Sequence, residues 1–294
     1  MSSPFLLRCF YALLLISFQL PFQPAACAAD ANRIVRYPTL MADDDPLQEY
    51  VLAALDLGLR HSGKDYQRVA SSAKMQQARA IQELLSEQGQ LDLLWTMTTA
   101  EREAQLLAVK IPIDKGLFGW RIALVKRGRG NIFKTVMKSK DLQAYSAGQE
   151  HDWPDTPILR SNGLPVVTAT SYEALFNMLD GKRFDYFPRS VMEIWQEYRE
   201  HPFHNLEVEK TIVLHYPTAL YFFVSPRRPE LAKDLHAGLE KAVADGSFER
   251  LFRKHLLPAI KKANIQKRRV LELSNPLLGP DSLPGKRPEL WYKP

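Results

Sequence analysis

The sequence holds almost no cysteine. Cys9 and Cys27 are its two thiols, and both lie within residues 1–28. If the chain is cut after Ala28, what remains has none. Disulfides, thiol nucleophiles and cysteine-ligated metals are then excluded from it. Histidine is also sparse, at seven, and no pair has the H-x-x-x-H spacing of a helical metal site. His201 and His204 stand three apart across Pro202, beyond an expected helix end, and read as surface loop. The G-x-S-x-G elbow, the phosphate-binding loop and the G-x-G-x-x-G fingerprint are all missing. No cofactor is expected. The most apolar stretch, Cys9–Leu20, falls short of the about 20 residues that span a bilayer. A net charge of +6 is modest, and basic residues are scattered until Lys261. No dense basic face interleaved with aromatics marks nucleic-acid binding.

What is present is ordinary for a soluble globular chain: 294 residues, 46% hydrophobic and 24% charged, long enough for two domains. The start reads as a secretory signal. Arg8 precedes the apolar run, and Ala26-Cys27-Ala28 fits an A-x-A cleavage pattern. Cleavage after Ala28 is the expectation. A lipidated Cys27 is the rival, disfavoured by Pro24 where an aliphatic residue belongs, and Pro21 and Pro24 disfavour an uncleaved anchor.

The periodicity predicts a strand at Ile34–Tyr37, a helix over Pro46–His61, a strand at Tyr66–Val69, a helix over Gln76–Gln88 and a buried strand at Leu91–Met97. This alternation predicts a parallel sheet with helical crossovers. Gly116–Val125 is a long extended segment. A second alternation follows: a short helix at Asn131–Met137, strands at Leu142–Ala147, Val166–Ala169 and Phe184–Phe187, and helices at Pro154–Asn162, Ser171–Leu179 and Val191–Arg199. Strands at Leu206–Val213 and Thr218–Ser225 return the chain to helices over Pro229–Ala244 and Ser247–His255. Beyond Pro258 the sequence turns basic and then proline-rich, which predicts an extended wrap or a poorly ordered end.

Within this pattern one residue is electrostatically awkward. Thr98 and Thr99 are candidate N-caps, Glu101 suits a first helical turn, but Arg102 there opposes the helix dipole. Beside a strand end, a guanidinium makes an anion site. A surface Arg paired with Glu101 or Glu103 is the plainer reading.

Three stretches carry a resemblance over about Ile34–His255: LDLLWTMTTAER with Asp92, Thr99 and Arg102 in a T-x-x-R pattern; GLFGWRIALVKRG; and SYEALFNMLDGKRFDYF, whose Gly181 and Asp185 are one residue further apart than the family's G-x-x-D. DGSFERLFRKH fits the closing helix. The chain resembles a type II periplasmic solute-binding protein, and more narrowly the substrate-binding proteins of amino-acid ABC transporters. The resemblance implies an α/β, two-lobed fold, each lobe a sheet flanked by helices, joined by two crossing strands. It implies a first lobe over 29–121 and 216–257, a second over 122–215, and an extension over 258–294. It also implies a periplasmic binding protein that captures a small polar or anionic solute by hinge closure. The partners implied are that solute and an inner-membrane permease, or a membrane sensor if the fold serves signalling rather than uptake.

In the family the T-x-x-R arginine grips a ligand carboxylate. That role falls to Arg102, with Thr99 or Thr98 beside it. Tyr37, Trp95 and Tyr186 sit near strand ends, where an open sheet places its ligand crevice, or else are core residues. Trp153 is a cleft or a packing residue, and Trp120 and Trp195 read as hinge or core packing. Two departures stand out. Trp95 and Met97 flank Thr96 where small hydroxyl residues are usual. Arg189 and Ser190 stand where the second lobe usually presents an Asp to an ammonium group. A cation there argues against a free α-amino group and suits an anion or dicarboxylate; if Arg189 points away, Ser190 leaves a neutral pocket. Catalysis is not expected: Glu101 and Glu173 are the carboxylates placed near the cleft, and solvated helix positions explain both.

Overall fold

A computed structural model describes residues 33–39 and 46–293. The expected signal segment, its cleavage site and both cysteines lie outside the described residues. The chain divides into Met1–Arg33 and Ile34–Pro294, and the second unit holds every helix and strand named below.

The first lobe begins with β1 (Ile34–Thr39), α1 (Pro46–His61), β2 (Gln67–Lys74), α2 (Gln77–Leu85), β3 (Leu93–Met97), α3 (Ala100–Gln105) and β4 (Leu107–Val109). α1 forms because Tyr50, Val51, Ala54, Leu55 and Leu59 recur on one face, with Glu49 in the first turn and Arg60 and His61 in the last. β1 and β2 pair in parallel. The strand that returns late in the chain, β11 (Leu220–Val224), lies between β3 and β4 and is antiparallel to both. The all-parallel expectation therefore fails in this lobe. β11 arrives from the opposite lobe, and so runs against the strands that leave by the helices.

The second lobe holds β5 (Trp120–Lys126), β6 (Ala147–Glu150), α4 (Asp155–Ser161), β7 (Val166–Ala169), α5 (Tyr172–Asp180), β8 (Tyr186–Ser190), α6 (Ile194–Glu200), β9 (Leu206–Val208) and β10 (Ile212–His215). Its sheet also takes in β12 (Arg269–Glu272), and the strands are ordered β12-β10-β5-β8-β6-β7, with β9 also on β5. The single strand expected at Leu206–Val213 is two. Buried Glu209 interrupts it by accepting from Thr211 N (2.8 Å) and Ile212 N (3.1 Å). Asn131–Met137 is turns rather than a helix, and the strand placed at Leu142–Ala147 lies at Ala147–Glu150 behind a 3-10 segment.

Two segments cross between the lobes, 110–119 and 216–219. They touch at Gly119, whose carbonyl accepts from Tyr216 N at 3.2 Å. A Cβ on Gly119 would meet Tyr216 O at 2.1 Å, so only glycine fits this crossing.

The C-terminal segment is ordered and crosses as well. α7 (Pro229–Ala244) and α8 (Ser247–Ala263) pack on α1. α8 continues past the expected stop at His255 and through the 257/258 boundary. Pro258 faces solvent, where water can satisfy the carbonyl it leaves unbonded, while Leu256, Ile260 and Ala263 extend the buried stripe. At its end Ala259 O accepts from Trp195 Nε1 of α6 (3.1 Å), and Arg268 Nη1 donates to Glu209 O (2.6 Å). β12 then adds to β10 in parallel. The chain returns to the first lobe, where Leu277 O accepts from Ala100 N (2.8 Å), Ser282 O from Tyr221 Oη (2.8 Å), and Tyr292 N donates to Lys115 O (2.8 Å).

Leu273 and Leu290 are buried in this wrap. Burial of a Leu side chain contributes about 1.5–3 kcal/mol, so ending the chain at Glu272 removes roughly 3–6 kcal/mol. A circular-dichroism melt of that truncation is expected to fall by roughly 6–24 °C; an unchanged midpoint would show that the wrap contributes nothing.

Candidate functional site

β3 ends at Met97, and Thr99 caps α3 by accepting from Arg102 N at 3.1 Å. This short turn sends the Arg102 side chain back over the strand end. Its guanidinium donates to Thr96 Oγ1 (2.8 Å), Met97 O (2.7 Å) and Gln77 Oε1 at the start of α2 (2.8 Å). All three acceptors are neutral. Among the described residues it forms no ion pair. Burial lowers its pKa to about 10, opposed by the fields of Glu101, Asp152 and Asp155. It stays charged at neutral pH.

The facing wall comes from the second lobe and the crossing segment. Arg121, on β5, is buried. It donates to Tyr216 Oη (2.9 Å), pairs with Asp155 (2.9 Å) and Glu193 (3.1 Å), and lies over the Phe118 ring at 4.4 Å. Tyr216 Oη donates to Asp155 as well. Burial alone would depress the Arg121 pKa; Asp155, Tyr216 and Glu193 outweigh it and raise the value. Arg189, on β8, meets Glu197 through Nε (2.8 and 2.9 Å) and Nη2 (2.5 Å), reaches Glu193 at 3.3 Å, and stacks on Trp153 at 4.6 Å. Two guanidinium groups thus share three carboxylates, and this wall is acidic on balance.

Between the walls lies a cavity of about 170 Å³. Gln77, Trp95 and Thr96 line it from the first lobe, and Trp153, Asp155 and Glu193 from the second. A second chamber of about 350 Å³ adjoins it and shares Gln77, Trp153, Arg189 and Glu193.

The residues singled out from sequence divide accordingly. Trp95 and Arg189 line the cavity, and Arg102 grips its Thr96–Gln77 edge. Tyr37 lies behind Trp95, ring centroids 6.1 Å apart, with its hydroxyl accepting from Arg68. Thr99 is spent on the cap. Thr98 is buried and donates to Glu103 (2.5 Å). Tyr186 is buried edge-on to Phe133 in the second lobe, and Ser190 is buried with its hydroxyl accepting from Met192 N. Neither Tyr186 nor Ser190 lines the cavity. Arg189 does face the cleft, but Glu193 and Glu197, four and eight residues on, take up its charge. The expectation of an uncompensated cation at this position is corrected on that ground.

Sequence reasoning missed Gln77, Arg121, Asp155 and Glu193. Arg121 had one available signal, a charge within the apolar run of β5. The other three are polar residues at element starts, where a solvated role is equally natural.

No family model matches the sequence, and no curated protein matches it. Solved structures do. A Salmonella typhimurium periplasmic binding protein described for high arginine specificity aligns at 15% identity and TM-score 0.57, over 76% of this chain and 99% of that one. A Streptococcus mutans structure, from work on glutathione import through GshT and a cystine ABC importer, aligns at 14% and 0.57, over 76% and 95%. The VFT2 domain of Bordetella pertussis BvgS aligns at 16% and 0.57, over 79% and 100%. These likenesses establish the fold: α/β and two-lobed, that of the type II periplasmic binding proteins.

The network sets a stability requirement. Arg121→Met leaves Asp155 buried without its cation and Glu193 with Arg189 alone, and breaking such a buried pair costs about 3–5 kcal/mol. Urea titration is expected to show that loss, whereas Arg79→Ala, at an exposed pair with Glu83, changes little. Equal midpoints for the two variants would contradict the assignment.

Proposed function

We propose that this chain, which has the fold of the type II periplasmic binding proteins, is a non-catalytic solute-binding protein for a small zwitterion of the amino-acid kind. The carboxylate of the solute meets Arg102, and its ammonium group faces Asp155 and Glu193. One observation carries the reading: Arg102 is held by neutral acceptors alone, and those acceptors, Thr96, Met97 and Gln77, line a cleft whose opposite wall has surplus carboxylate. A zwitterion matches both walls at once, and a dicarboxylate matches only one. Trp95 lines the same cavity and offers an aromatic surface to an apolar portion of such a solute. Capture proceeds by hinge motion about the crossing segments. The setting is the periplasm, with delivery to an inner-membrane permease of the ABC type.

A second reading keeps the binding site and replaces uptake with signalling to a membrane partner. The C-terminal wrap favours it, because a segment bonded to both lobes reports their relative movement to whatever touches it. Co-purification from membranes separates the two: recovery of a permease sinks the signalling version.

Thermal-shift screening against neutral, basic and acidic amino acids and against dicarboxylates tests the common part. Stabilisation by amino acids is expected, and Arg102→Ala is expected to weaken it by about 30-fold or more in affinity, since removing one partner of a desolvated charge pair costs at least about 2 kcal/mol. Stabilisation by none of the panel, or stabilisation indifferent to Arg102→Ala, would overturn the reading.

A further inference from the structure

The outer chamber contains a carboxylate that the inner cavity does not use. Glu150 ends β6 with 6% of its surface exposed, and it lines this chamber. Among the described residues its side chain has no hydrogen bond or ion pair. The backbone around it is fixed: its carbonyl accepts from Thr156 Oγ1 (2.8 Å) and Trp153 N (3.3 Å), and it pairs with Ala169 on β7. The other chamber carboxylates on α5 and α6 are engaged. Glu197 and Glu193 hold Arg189, Glu173 meets His201 at 3.1 Å, and Glu200 accepts from Gln196. Burial first, and then Asp152, raise the Glu150 pKa against the opposing fields of His151 and Arg189, as happens to a carboxylate held near a like charge with no cation bonded to it.

We propose that this chamber is a subsite for the cationic end of an elongated solute, with Glu150 as the group that receives an ammonium or guanidinium. The proposal rests on the solute-binding reading and extends it to a substrate class. A metal ion does not suit the place: among the described residues no group of three or more His, Asp or Glu side chains could hold one. A neutral group would leave the buried carboxylate uncompensated, whereas a cation forms a charge-assisted hydrogen bond with it. Length follows from the two volumes. The chamber of about 350 Å³ adjoins the cavity of about 170 Å³ through Gln77, Trp153, Arg189 and Glu193, so a solute whose head group fills the inner space still has room to extend. The class is an amino acid with a long basic side chain, or a short peptide bearing one.

Isothermal titration calorimetry of the purified protein with L-arginine, glycyl-L-arginine and L-norvaline tests this, because norvaline keeps the head group and part of the arm but lacks the guanidinium. Arginine or the dipeptide is expected to bind about tenfold or more tighter than norvaline, the scale of a charged hydrogen bond. Glu150→Gln is expected to reduce that ratio to below about threefold. A melt of the ligand-free variant guards against simple misfolding: loss of an uncompensated buried charge leaves its midpoint equal to or above the parent's. If norvaline binds as tightly as the cationic probes, or if Glu150→Gln leaves the ratio intact, this proposal falls and the solute-binding reading stands. If no probe binds, this proposal falls, and the solute-binding reading falls with it only where the wider panel of amino acids and dicarboxylates fails too.

Discussion

The cleft depends on two arginines that are out of water. Arg121 and Arg189 are both buried, and a buried guanidinium is tolerated only when its donors are matched by well-placed acceptors. That requirement ties together elements far apart in sequence. β5 supplies Arg121, the start of α4 supplies Asp155, and the crossing segment supplies Tyr216. Glu193 serves both arginines, and α6 brings Glu197 onto Arg189. Shifting any of these elements would strand a charge, so the network fixes the second lobe against the hinge. It also has an electrostatic consequence. Satisfying two cations with three carboxylates leaves the wall acidic, opposite an Arg102 surrounded by neutral groups.

The ordered C-terminal segment adds a mechanical constraint to this electrostatic one. α8 starts on α1 in the first lobe and ends against Trp195 in the second. β12 then joins the second-lobe sheet, and the remaining chain runs back to Ala100, Tyr221 and Lys115. Hinge motion in such a molecule must bend the two crossing segments and carry the wrap with them. Leu277 O sits on the first amide of α3, the helix whose turn sets Arg102. The wrap therefore touches the element that carries Arg102 directly.

Much of the fold was legible in the sequence because local signals agreed. α1 and α7 fall where their apolar periodicity, acidic first turns and terminal Gly or Asp place them, and β7 lies at Val166–Ala169 as expected. The misses come from long-range effects. The antiparallel β11 is set by the direction of the return crossing, which periodicity does not encode. Glu209 breaks a strand through hydrogen bonds that no hydrophobic pattern reports. Pro258 reads as a stop, yet it is tolerated on the wet face of α8. The site was legible in part for the same reason. Arg102 stood out by opposing its own helix dipole and bonds to cavity-lining Thr96 and Gln77, and Trp95 stood out by its strand-end position and lines the cavity. Tyr186 and Ser190 were misplaced because strand ends look alike until the partner strand decides which face is buried. Glu150 was invisible, since a carboxylate before His151 and Asp152 reads as a solvated turn.

Two charged residues of the candidate site are left incompletely satisfied by their local environment. Arg102 gives up hydration for three neutral acceptors, and Glu150 gives it up for none. A charge taken out of water with no opposite charge bonded to it costs free energy that an oppositely charged group placed beside it would restore. The fully matched Arg121 and Arg189 behave otherwise. Their donors are occupied, and a ligand anion approaching them must compete with carboxylates already in place. Charge alone would rank all three cleft arginines as equivalent anion sites. The acceptors around each of them set them apart: those of Arg102 are neutral, and those of Arg121 and Arg189 include carboxylates.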